Sequence, residues 1–465
     1  MQKNLMKCAA VCTSIAAGCI PAAQEKPNIL FILVDDLGWN DVQFLPDSTS
    51  PYSTPNIRQL ARQGMVFTDA YAASPVCSPT RASLLTGKSP AALRLTSHIP
   101  RTLDGNWARI PDNATMMPAE FRDRLPLPEI TFAELLKKDG YRTGFFGKWH
   151  LAGQNALAYP EAQGVMLPDY HPDRQGFDIN IGGASVGAPP TYISPYGLGM
   201  IRSGPEGEYL TDRLTNEVMD YIKTSGENPF LAYLCYYSVH RPHHPRPDLV
   251  DSSYGALANY AAMIAAVDEN IGRLMKFLDE SGLTENTLLI VTSDNGGLEG
   301  NLPLRGVKGS LWEGGIRVPT LVRWPGVIRP GSVCNEPVIS YDFLPTLLAI
   351  TGSDQPVPND VEGVSLLPLF TGSDFKRSEP LYWHFPHYHN DGMSTAIRDG
   401  KWKLIYSYVT EEMFLFDLED DFREQRNLAA QFPEKAEQLK TKLFRWLKEV
   451  DALMPVRAVD TDKKS

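Results

Sequence analysis

Four apolar runs frame this chain. Pro27–Val34 is nearly unbroken by polar side chains and stops on Asp35-Asp36, and Thr287–Ser293 stops on Asp294-Asn295-Gly296-Gly297. Apolar runs of this length without alternation predict strands covered on both faces, as in a parallel sheet. A third, Phe230–Tyr237, is followed by His240, and a shorter fourth, Thr143–Gly147, ends at Lys148. Between them, apolar positions recur every three or four residues over Leu210–Thr224 and Tyr260–Glu280, the period of an amphipathic helix. Strands alternating with helices predict an α/β sheet with helices on both faces. Ligands bind such sheets outside the carboxyl ends of the strands. Asp35, Asp36, Lys148, His240, Asp294 and Asn295 are expected there together.

Beyond about Thr371 the pattern changes. Leu381–Phe385, Ala396–Ile405 and Phe414–Leu418 read as short antiparallel strands joined by turns, and Pro433–Leu453 as an amphipathic helix closing one face. The expected division is a leader over 1–23, a main α/β domain over 24–370 and a smaller C-terminal α+β domain over 371–465. A chain of 465 residues is long enough for both cores.

The formal net charge of −11, with no clustered Lys and Arg, argues against a nucleic-acid partner. It also means that an anionic ligand needs a local cationic site strong enough to overcome the overall field. Lys3 and Lys7 precede the apolar, small-residue stretch Cys8–Ile20, the layout of a secretory signal and too short to span a membrane. Ala16-Ala17-Gly18-Cys19 resembles a bacterial lipobox, which would lipidate Cys19, and cleavage near Ala22-Ala23 without lipidation is the alternative. Either way an exported protein is expected, periplasmic or an outer-membrane lipoprotein of a Gram-negative bacterium. Outside the leader stand Cys77, Cys235 and Cys334, an odd number that predicts no disulfide framework. Cys235 lies inside an apolar run and reads as a buried thiol.

Cys77 sits differently. In Val76-Cys77-Ser78-Pro79-Thr80-Arg81-Ala82-Ser83-Leu84-Leu85-Thr86-Gly87, Pro79 suits a first helical turn and Gly87 a helix stop. Cys77 is therefore expected at a helix N-terminus, where free N–H groups and the dipole favour an anion, either a low-pKa thiolate or a charged ester. Arg81, one turn on, can reach back toward it. Asp35, Asp36, Asp294 and Asn295 offer hard oxygen ligands of the kind Ca²⁺ or Mg²⁺ prefers. Basic groups for an anion occur in Gly147-Lys148-Trp149-His150, in Ser238-Val239-His240-Arg241 and in Arg305-Gly306-Val307-Lys308-Gly309.

Together these segments resemble the type I sulfatases, whose signature C-x-P-[S/T]-R followed by L-T-G is matched at Cys77–Gly87. The likeness runs from about Pro27 to at least Asn427, including Tyr341–Thr346 and the Arg398–Leu404 hairpin. It implies the alkaline phosphatase-like fold: a large mixed, mostly parallel sheet sandwiched by helices, with a smaller C-terminal α+β domain. It further implies that a maturation enzyme converts Cys77 to Cα-formylglycine, whose hydrate offers one hydroxyl to attack sulfur and another to expel sulfate. By the same resemblance Asp35, Asp36, Asp294, Asn295 and residue 77 would hold a divalent cation, Ca²⁺ in preference to Mg²⁺, because a flexible oxygen cage suits calcium. Lys148, Lys308 and His240 would hold the sulfate, and Arg81 is expected in the catalytic set beside residue 77. His150 would bond the formylglycine and take its proton, and either His240 or Lys308 would protonate the leaving alcohol.

The expected substrate is an O-sulfated glycan. Pro189–Tyr196 supplies polar and aromatic side chains suited to a sugar face, and His384, His387, Tyr388 and His389 of the second domain are candidates for the cleft wall. The readings held beside this one are an arylsulfatase, a formylglycine-dependent phosphonate or phosphate-ester hydrolase, and an inactive glycan-binding relative in which Cys77 stays a thiol.

Overall fold

The computed structural model describes residues 26–45, 47–99, 110–153 and 168–458. The expected leader with Cys19, and the polar end Asp460–Ser465, lie outside the described residues. Among the described residues no helix is long and apolar enough to cross a membrane.

The main sheet has eight strands: β1 (Asn28–Val34), β2 (Met65–Phe67), β3 (Arg142–Gly147), β4 (Ile179–Ile181), β5 (Phe230–Cys235), β6 (Thr287–Ser293), β7 (Thr320–Arg323) and β8 (Ser332–Cys334). Their order is β8-β2-β7-β6-β1-β5-β3-β4, and every strand runs parallel to β1 except β7. The unbroken apolar run in β1 has a direct cause. Leu30, Ile32 and Val34 enter one core, and Ile29, Phe31 and Leu33 enter another on the opposite face. Helices α4 (Leu210–Lys223) and α5 (Ala258–Glu280) cover the first face. Helices α2 (Cys77–Thr86), α3 (Phe132–Lys138) and α6 (Phe343–Ile350) cover the second, while α1 (Pro55–Gln63) joins the first face, packed beside α5 and β7.

A second sheet of four antiparallel strands follows, β9 (Leu381–Phe385), β10 (Ser394–Asp399), β11 (Trp402–Ser407) and β12 (Met413–Asp417), in sequential order. Gly400, at φ 61°, makes the tight turn between β10 and β11. Ile397, Leu404 and Leu415 pack on Leu439, Leu443 and Trp446 of α7 (Pro433–Glu449). The opposite face, with Trp383, Ala396, Ile405 and Phe416, packs on Tyr71, Val76, Leu311 and Ile316 of the main unit. The alternation expected of a sheet buried between two layers is thus present.

Helix α7 ends at Glu449, four residues before the periodicity predicts. Asp451 turns left-handed at φ 51° and the Ala452 N–H bonds the Leu447 carbonyl, closing the helix. The freed Leu453 carbonyl accepts the Nε2–H of His384 at 2.9 Å.

Between the two units lies a buried ionic cluster. Lys403 of β11 is fully buried and stands 2.8 Å from both Glu313 and Glu424. Glu313 also accepts from Tyr71 Oη at 2.7 Å and pairs with Arg317, and its own N–H donates to the Glu424 carboxylate at 2.7 Å. Arg305 donates to the Glu424 carbonyl at 3.0 Å, so both ends of the 305–313 loop are tied to residue 424.

Candidate active site

Each group expected at the sheet's carboxyl edge arrives there from a strand end. Asp35 and Asp36 follow β1, Asp294 and Asn295 follow β6, and Lys148 follows β3. His240 lies five residues past β5. At Gly147 a Cβ would stand 1.9 Å from the Cys235 carbonyl oxygen, so only glycine lets β3 run this close to β5 before releasing Lys148. Asp36 and His150 both take left-handed backbone, at φ 59° and 60°. Cys77 is the first residue of α2, after extended Val76, and Gly87 closes that helix at φ 72°.

The side chains interlock. Lys148 Nζ donates to Asp35 Oδ2 at 2.6 Å and Lys308 Nζ to Asp36 Oδ1 at 2.6 Å. Arg81 Nε donates to Asp294 Oδ2 at 2.8 Å, and a terminal nitrogen donates to the Lys148 carbonyl at 2.7 Å. Asn295 Nδ2 donates to Asp36 Oδ1 at 2.8 Å. Lys308 Nζ also stands 3.6 Å from Cys77 Sγ. Three carboxylates therefore already face three fixed cations.

The oxygens nevertheless fit a further cation. Among the described residues Asp35 Oδ1 and Asn295 Oδ1 are buried with no hydrogen-bond partner, an expensive state for oxygen unless a ligand faces it. Asp35, Cys77 and Asp294 each offer one ligand atom, mutually within 4.8 Å, and Asp36, Cys77 and His240 form a second such group. Burial raises Asp35 well above the usual carboxylate range despite Lys148, with Asp294 and Asp36 pushing the same way. In Asp36 and Asp294 burial is outweighed, by Lys308 with Lys148 and Asn295 in the first and by Arg81 and Lys148 in the second, and both are lowered. Hard, partly unsatisfied oxygens of this number suit calcium or magnesium.

Cys77 departs from one expectation. Burial pushes its thiol up, more than Lys148 and Lys308 pull it down, so it is not a low-pKa thiolate. Two imidazoles have fixed tautomers, because each faces a carbonyl that can only accept. His150 donates Nε2–H to the Ile99 carbonyl at 3.0 Å, leaving Nδ1 buried as an acceptor with no partner among the described residues. His240 donates Nδ1–H to the Arg241 carbonyl at 2.7 Å, leaving Nε2 3.7 Å from Asp36. Burial first and Lys308 next lower His240 to about 3, so its ring is neutral. Burial lowers His150 well below its usual range, with Lys148 adding to it. Lys308 moves the other way, because Asp36, with Asp294 adding to it, outweighs its burial, and stays charged.

These groups floor a cleft of about 690 Å³ lined by Cys77, His150, His240 and Lys308, with Pro189, Pro190, Leu298, His98 and His389 on its walls. Lys148 and Arg81 do not reach it. They are buried behind the carboxylates, so the structure places them as supports of Asp35 and Asp294 rather than as groups facing a ligand. Of the second-unit candidates only His389 lines the cleft. His387 is buried on Thr96 Oγ1 at 2.8 Å, His384 lies between the Leu453 carbonyl and Tyr408, and Tyr388 Oη donates to the Met116 carbonyl. Tyr192 and Tyr196 are fully buried, Tyr192 Oη bonding the Tyr237 and His240 carbonyls, so only the Pro189-Pro190 end of that loop meets the cleft. His98 and Leu298 were not foreseen. They stand in loops, where no periodicity signals a direction.

The chain matches the family described as Sulfatase over residues 27–353, and the one described as N-sulphoglucosamine sulphohydrolase, C-terminal, over residues 307–452. It is 32% identical to a protein named Sulfatase from Formosa agariphila, over 95% of this chain and 92% of that one. It is 32% identical to human Arylsulfatase A, over 84% of this chain and 76% of the relative. Among solved structures, Ps i-CgsB in complex with k-i-k-neocarrahexaose superposes with a TM-score of 0.74 at 29% identity, covering 91% of this chain and 93% of that one.

Proposed function

The chain belongs to the sulfatase family and is a sulfuric ester hydrolase, and from that premise we propose that it removes O-sulfate groups from a glycan, with Cys77 matured to formylglycine and Ca²⁺ bound beside it. The observation that carries this reading is the position of Cys77: first in its helix, on the floor of the cleft, and 3.6 Å from the ammonium of Lys308. The likeness to Ps i-CgsB, solved in complex with k-i-k-neocarrahexaose, supports a glycan in preference to a small aryl alcohol.

Formylglycine would supply, as its hydrate, one hydroxyl for attack on sulfur and a second for releasing sulfate. Asp35, Asp36, Asp294 and Asn295 would hold the calcium ion, which supplies Lewis acidity toward a sulfate oxygen. The chain's own residues do the rest. The N-terminal N–H groups of α2 and the charge of Lys308 draw the sulfate monoester against an unfavourable overall field. His150, with Nε2–H held by Ile99, presents Nδ1 as a proton acceptor. Lys308 is the better placed donor to the leaving alcohol, because His240 carries no proton on Nε2 whereas Lys308 is charged. A departing alkoxide is basic enough to take a proton even from an ammonium held above its usual range. His240, with only a lone pair on Nε2, can then accept from a hydroxyl of the sugar but cannot donate to the sulfate oxygens.

Peptide mapping of position 77 from the native host, paired with turnover of matched sulfate and phosphate monoesters, tests this. The expected result is a residue lighter than cysteine and a preference for sulfate. Unmodified Cys77 in fully active protein, or a preference for the phosphate ester, would overturn the reading. Removing calcium with a chelator is expected to lower the midpoint of thermal unfolding as well as activity, and added calcium to restore both, since a ligand bound only to the folded state stabilises it. An unfolding curve indifferent to chelator and calcium would count against the metal site.

A further inference from the structure

Two side chains on the cleft wall take no part in the sulfate chemistry. His98 lies in the loop after the short helix Pro90–Leu93, and His389 in the connection between β9 and β10, so each of the two units contributes one. Their rings meet edge to face, with centroids 6.3 Å apart and planes at 84°. The second unit is fastened to the sulfate end of the cleft at this point, because Asn390 Nδ2 donates to the Lys308 carbonyl at 2.7 Å.

His389 reaches its position because residue 309 has no side chain. A Cβ on Gly309 would lie 1.8 Å from His389 Nδ1, and the residue's φ of +83° suits glycine. The chain thus brings an imidazole against the backbone that follows Lys308. Nδ1 of that imidazole is buried with no hydrogen-bond partner among the described residues. That nitrogen is turned to the Gly309 backbone, so the ring presents its other edge, with Nε2, to the cleft. Burial, with the charge of Lys308 adding to it, keeps both rings neutral. A ring nitrogen of a neutral imidazole donates or accepts one hydrogen bond, and a sugar hydroxyl can answer in either sense.

Resting on the glycan-sulfatase reading above, we propose that His98 and His389 determine specificity by binding hydroxyls of the sugar ring that carries the sulfate ester. The recognised leaving group is a neutral, hydroxyl-bearing ring, gripped from both units at once. A flat aryl alcohol has no hydroxyl to offer this wall. A site built to bond a hydroxyl discriminates strongly against analogues lacking it, because its own polar groups are then left unpaired.

The test compares kcat/KM for an aryl sulfate with that for whichever sulfated hexose or hexosamine the wild-type protein turns over fastest. In His98→Ala and His389→Ala, the sugar-to-aryl ratio is expected to fall roughly 10- to 100-fold. A histidine needed only for packing would lower both substrates together and leave the ratio alone, which would overturn the inference. Calorimetric binding of the same sulfated sugar to Cys77→Ala, with and without His389→Ala, gives a second reading that does not depend on turnover. Weaker binding with the double substitution supports the inference, and equal affinity overturns it. Wild-type protein that hydrolyses aryl sulfates and no sulfated sugar would bring down the glycan reading, and this inference with it. A wild-type protein active on sugars whose ratio survives both substitutions would bring down this inference alone.

Discussion

Replacing Arg81 with methionine is expected to reduce kcat/KM by about two to three orders of magnitude, although Arg81 does not face the cleft. The guanidinium is buried, donates to the Asp294 carboxylate through Nε, stands in ion-pair contact with it through one terminal nitrogen, and holds the Lys148 carbonyl with the other. Methionine fills much of the same volume and removes all of those contacts. Asp294 then loses the largest influence holding it ionised, and Lys148 loses the anchor that aims it at Asp35. Removing one partner of a buried pair costs about 3–5 kcal/mol, and each 1.36 kcal/mol carried into the barrier is tenfold in rate. Arg81→Lys keeps the charge without the fork that reaches both partners, so it should fall between wild type and methionine. Steady-state kinetics on a single aryl sulfate would decide the matter. Wild-type turnover in Arg81→Met would show that Asp294 and Lys148 need no such support.

The second large effect is expected on stability, at Lys403→Met. Lys403 is the cation between Glu313 and Glu424 in the seam joining the two sheets, and all three side chains are fully buried. Glu313 keeps Arg317 and Tyr71 as partners, whereas Glu424 keeps only the Glu313 N–H for its carboxylate. The expected loss is about 3–5 kcal/mol, read by chemical or thermal unfolding. Glu424 is already pushed up by burial, so its neutral form is the one the fold tolerates without Lys403. Adding Glu424→Gln to Lys403→Met should therefore recover part of the loss, and a double-mutant cycle measures how much. Strict additivity of the two substitutions would refute the coupling.

The strand ends were legible in the sequence because both faces of β1, β5 and β6 are covered, which forces unbroken apolar runs that stop sharply at Asp35, His240's approach segment and Asp294. Thr287–Ser293 and Leu381–Phe385 are found at their expected bounds. The strands that escaped, Met65–Phe67, Ile179–Ile181, Thr320–Arg323 and Ser332–Cys334, have three or four residues each, too few to display a period. The reversed direction of β7 leaves no local trace for the same reason. Within the site, residue types and approximate placement were readable, and orientation was not. Nothing in Gly147-Lys148-Trp149 says that Lys148 turns back beneath Asp35, and nothing in His384–His389 says which imidazole faces inward. Those outcomes follow from contacts with residues far along the chain, such as Thr96, Leu453 and Gly309.

The left-handed backbone at Asp36 and His150 narrows which exchanges these positions will accept. Such a conformation is reached with little strain by glycine, and several-fold more readily by Asn, Asp and His than by other side chains. At residue 36 only aspartate among those four also brings a charged carboxylate, and at residue 150 only histidine brings an imidazole nitrogen. Glutamate at 36 would preserve charge and still ask the main chain for a shape it resists. The alphabet at each place thus shrinks to about one letter for two independent reasons, and anyone transplanting this constellation into another scaffold must carry over the bends along with the side chains.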